Sequence, residues 1–128
     1  DRVTFFTPES GDAEFTVYGH RFLMIHGDRM KGSGGINGIS NGHRKTREQF
    51  AATGYPIDYM LSGHYHTSVT FPGGFGNGSL AGWGEYAKSI GALPDAAKQW
   101  LMFVTPRDGV SKALELVVSP KPRRTRIA

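Results

Sequence analysis

Two apolar runs in this chain end in the same way. "RFLMIHG" (21–27) and "IDYMLSGH" (57–64) each drive a nearly unbroken apolar segment into a glycine and a histidine. A strand that is apolar at successive positions is covered on both of its faces. Both segments are therefore read as inner strands of a layered sheet. If they lie side by side and parallel, His26 and His64 arrive at one C-terminal edge. In open α/β sheets that edge is where ligands bind.

The remaining segments fit around this pair. "VTFF" (3–6) is β-branched and aromatic, which predicts a short strand. Residues 14–18 and 21–26 predict a hairpin about a Gly19-His20 turn. The polar, glycine-rich stretch 27–42 reads as a loop. A helix is expected over 42–54, stopped by Gly54. Strands follow at 57–61 and, alternating, at 67–71. "GWGEYAKSIGA" (82–92) reads as a short helix. "AAKQWLMFVTP" gives a helical start and then a strand over 99–105, and "ALELVVS" (113–119) gives the last strand. Strands interrupted twice by helices predict an α/β or α+β mixed sheet. One domain is expected over 1–119, with a basic tail over 120–128.

Composition narrows the chemistry. The 128 residues include no cysteine, so any metal must be held by His, Asp, Glu or Asn. The longest apolar runs are far shorter than the roughly 20 residues a membrane helix needs, so no membrane partner is expected. No signal peptide is visible at "DRVTFFTPES", and an intracellular, cytoplasmic setting is expected. The net charge of +4 favours anionic partners weakly. Much of that charge lies in "KPRRTRIA" (121–128). Glycine is the outlier: 18 residues, against a usual share of about 7%. Two clusters, "GSGGING" (32–38) and "PGGFGNG" (72–78), are read as loops.

The chemistry centres on "GHYH" (63–66). In an extended chain His64 and His66 point to one side and can converge on one ion. Neutral imidazole suits Zn, Cu, Fe or Ni. His26, ending the other buried strand, adds a third donor. Asp28 can orient a ring as an acceptor for its second nitrogen.

"IHGD" (25–28) followed by "LSGHYHT" (61–67) resembles the last two metal-binding motifs of the calcineurin-like metallophosphoesterases. "HGDRMKGSGGING" and the stretch from Asn77 to Val110 are similar to phosphoesterases encoded by phages and prophages. The resemblance runs from about residue 14 to 118. It implies the C-terminal half of a layered αββα sandwich, in a phage-encoded or bacterial host protein. It also implies two divalent ions (Mn, Fe, Zn or Ni) and a phosphate-ester substrate, with nucleic acid or a nucleotide as its class. His26 and His64 match ligands of one ion, and His66 matches a ligand of the other. The earlier motifs DxH, GDxxD and GNH(D/E) have no counterpart here, and the missing initiator Met agrees with truncation. No residue of this chain matches the histidine that assists the leaving group, and little activity is expected from the chain alone.

Weaker assignments surround these. Arg29 and Lys31 follow the metal-site turn and can meet a phosphate. His43, Arg44, Lys45 and Arg47 read as a solvated basic helix face. Tyr65 is expected to face away from the metals and pack, and Trp83 and Trp100 to lie in the core. Asn77-Gly78-Ser79 reads as a structural turn. A half-sheet with an open edge is prone to self-pairing, which allows a homodimer. Two other functions fit the residues: a self-contained zinc hydrolase built on His26, His64 and His66, and a non-catalytic nucleic-acid module using the tail and the 43–47 patch.

Overall fold

A computed structural model describes residues 4–30, 35–91 and 94–119. The basic tail, Lys31 and Val3 lie outside the described residues. The fold is mixed α and β, with two helices and two sheets among the described residues. β1 (Asp12–Val17) and β2 (His20–Ile25) form the expected hairpin, turning at Tyr18-Gly19 rather than Gly19-His20. Next come α1 (Ile36–Ala52), β3 (Tyr59–Ser62), β4 (Val69–Phe71) and β5 (Gly74–Gly76). α2 (Glu85–Ser89), β6 (Ala97–Thr105) and β7 (Gly109–Ser119) complete the order.

The main sheet runs β1-β2-β3-β5-β4, with β2 and β3 parallel and Phe22 opposite Tyr59. β3 and β5 are also parallel, whereas β4 and β5 are antiparallel. The strand period of two explains the layers. Leu23 and Met60 point to the α1 side, where they pack with Ile39, Ile57, Met30 and Val69. Phe22, Tyr59 and Phe75 point to the other side. There Phe75 meets Trp100 of β6 edge-on, and the Tyr59 hydroxyl accepts from the Val110 amide of β7. The β6–β7 hairpin is thus a third layer, joined further by the Trp100 indole N–H donating to the Gly76 carbonyl at 3.0 Å.

Several expectations are corrected. Residues 4–6 belong to no strand and are exposed; an aromatic pair with no sheet partner does not make one. α1 begins at Ile36, inside the stretch read as a loop, because Ile39 anchors its first turn in the core. The second glycine cluster holds β5, which reads as loop only by composition. Gly74 has to lack a side chain: a Cβ there would sit 2.6 Å from His43 Nδ1. β6 is extended from Ala97, with no helical start, because it pairs with β7 along its whole length. Trp83 and Trp100 are half-buried rather than core.

Candidate metal centre

β2 and β3 stop at Ile25 and Ser62, and the next residues form the site. The Gly63 amide donates to the His26 carbonyl at 3.0 Å, so the two exits are joined. Gly27 sits at φ +108, and a Cβ on it would meet the Gly63 carbonyl at 3.1 Å and His64 Cβ at 3.3 Å. This close approach brings the rings together. His64 Nδ1 lies 3.3 Å from His26 Nε2, with the ring planes at 72°. Gly27→Ala is therefore expected to destabilise the fold by about 1–3 kcal/mol, the usual scale of local backbone strain. Urea denaturation checks this; an unchanged midpoint would refute the close-packed exit.

The GHYH segment is not extended. His64 has φ 71 and His66 has φ 57, both left-handed. For non-glycine residues each such conformation costs on the order of 1–3 kcal/mol, and such strain gathers at functional sites. The segment is turned, so the strand alternation expected to set both histidines on one side does not apply here. Tyr65 packs against the α1 core, and its hydroxyl reaches the Gly27 and Met30 carbonyls at 3.3 Å. His66 lies instead beside Tyr86 of α2, 5.9 Å between ring centres, and its Nδ1 is buried without a hydrogen-bond partner among the described residues.

Fit to a metal can be tested on these distances. Two imidazole nitrogens 3.3 Å apart subtend roughly a tetrahedral angle at an ion about 2.0–2.1 Å from each. His26 and His64 fit a shared ion, and the orphaned His66 nitrogen fits a donor to something else. Among the described residues no three His, Asp or Glu side chains converge. Asp28 and Arg29 occupy the exposed turn after His26. Asp28 takes no hydrogen bond from either ring among the described residues. The Arg29 guanidinium stands beside Gly11.

The chain matches no family model, no curated protein and no solved structure. The site therefore stands on its own geometry. Beside His26 an apolar cleft of about 450 Å³ opens between the main sheet and the β6–β7 hairpin, walled by Met24, Leu61, Phe75, Trp100 and Met102. Asn77 closes one end as a structural turn. Its amide donates to the Ser62 carbonyl at 2.7 Å, and its side chain receives the Trp100 amide at 3.0 Å.

The 43–47 patch is corrected. His43 is buried, 3% exposed, with Nε2 2.7 Å from Ser62 Oγ. Arg47 donates to the Ile57 and Pro72 carbonyls, and Arg44 pairs with Glu48. Only Lys45 and the Arg44–Glu48 pair face outward as a solvated surface would. The basic run "HRKTR" hid His43, although its spacing from Ile39 and Phe50 places all three on one helix face.

Proposed function

We propose that this chain carries part of the metal centre of a phosphoesterase, on one layered half of an αββα sandwich. The observation that carries this reading is the His26–His64 pair at the ends of two parallel strands; we assign His66, beside Tyr86, to a second ion. Two divalent ions, when bound, hold the phosphate oxygens and activate a water for in-line attack. The chain's own residues do the holding. Neutral imidazoles bind ions without cancelling the positive charge that favours the transition state. Gly27 and Gly63 set the spacing. We assign Arg29, exposed in the turn after His26, to meet phosphate charge, and the apolar cleft to take the organic part of the ester.

Two nitrogens fill only part of an ion's shell, so the remaining ligands come from residues other than these three histidines. The pairing supports a shared ion over a mononuclear three-histidine site. The structural use of His43 and Arg47 weakens the nucleic-acid-module reading.

Protein supplied with Mn²⁺ or Zn²⁺ is expected to retain metal, and His64→Ala to lose most of it, by elemental analysis. Equal and negligible metal in both would sink the proposal. With bis(p-nitrophenyl) phosphate, little turnover is expected from the chain alone. Robust turnover would favour the self-contained three-histidine hydrolase instead.

A further inference from the structure

We infer that His43 and Ser62 are positioning residues, which aim His64 at His26 by pinning the exit of β3 to α1. The inference rests on the proposed reading only for what the aimed pair binds. Ser62 is the last residue of β3, and only Gly63 separates it from His64. Three of the bonds at this exit tie it to other elements: Gly63 to the His26 carbonyl, Asn77 to the Ser62 carbonyl, and His43 to the Ser62 hydroxyl. The first two are backbone bonds that any sheet would offer. The third is a buried side-chain bond between two polar residues in an otherwise apolar layer, where burial needs a specific partner to be tolerated.

The surroundings are shaped for it. Gly74 leaves room for the imidazole, and Phe71 stands edge-on to the ring at 5.6 Å. One turn further along α1, Arg47 binds the Ile57 and Pro72 carbonyls at the opposite end of β3. The helix thus grips β3 at entrance and exit. Burial, with the Arg47 charge second, pushes the His43 pKa down to about 4. The ring is neutral at physiological pH and keeps one nitrogen for Ser62. The grip also fixes a direction of strain: His64 leaves β3 left-handed, and a loose exit would let that residue relax away from His26.

The test uses three variants of the whole chain. His43→Leu removes the bond but keeps an apolar filler. Ser62→Ala removes it with the ring retained. His43→Gln keeps an amide that reaches in place of Nε2. Ring-to-ring NOEs between His26 and His64 are read without metal. The expected result is loss in the first two variants, with the dispersed amide spectrum kept, and recovery in His43→Gln. NOEs retained in both loss variants, or absent from the wild type, overturn the inference. Global unfolding of both also overturns it, since the bond would then serve stability alone. Cu²⁺ titration is a separate arm. The wild type is expected to show a two-nitrogen EPR pattern that His64→Ala reduces to one nitrogen. His43→Leu is expected to weaken binding about tenfold, the lower end of what losing a supporting group costs a metal site. A wild type that binds no copper at these histidines sinks the shared-ion reading, and the NOE arm still decides the positioning.

Discussion

Lowering the pH from 7 to 4 is expected to remove about 3 kcal/mol of stability through His43 alone, since each pKa unit is worth about 1.4 kcal/mol. The folded ring holds its pKa near 4, against 6.5 for the unconstrained side chain. Between those values the unfolded chain binds a proton and the folded chain does not. Stability therefore rises with pH across this window, is complete above about 6.5, and is lost on acidification. The difference in pH slope between wild type and His43→Gln, measured by urea denaturation at several pH values, isolates this share from the carboxylates. Parallel slopes would show that His43 is not buried neutral.

Met60→Ala is expected to cost about 2–5 kcal/mol, the range for truncating a fully buried aliphatic side chain. Met60 is 0% exposed, packed between β3 and α1. Met24, on the opposite face of β2, is 49% exposed, and Met24→Ala is expected to cost under about 1 kcal/mol. Chemical denaturation gives both values, and a shift in midpoint at constant m reports stability itself. Similar losses at the two positions would contradict the assignment of faces.

These contrasts show what the sequence made legible. Residues 22–25 and 59–61 are apolar at consecutive positions, and an inner parallel pair is what such runs make. That signal survives in one sequence because it belongs to each strand alone. It is enough to bring His26 and His64 to one sheet edge. β5 was not legible, because Gly-Phe-Gly is shaped by its neighbours. Gly74 yields to His43, and a Cβ on Gly76 would sit 2.7 Å from Val69 Cγ2. His43 was masked by three basic neighbours, Arg44, Lys45 and Arg47, whose charge suggests solvent, while the 39–43–50 spacing that buries it is a weaker pattern. The turn through Gly-His-Tyr-His depends on two left-handed residues, His64 and His66. Alternation along a strand cannot foresee a turn of that kind.

The parallel pairing of β2 and β3 has a consequence for folding order. His26 and His64 are 38 residues apart in sequence, so their meeting closes a long loop that includes α1. Loop closure must be met before such non-local contacts form, whereas the β1–β2 hairpin needs only its neighbours. The histidine pair therefore forms only once β2 and β3 have docked across that loop. An ion held by both rings would tie that loop shut and shift the folding equilibrium by mass action. The melting temperature then becomes a gauge of occupancy, readable without any substrate.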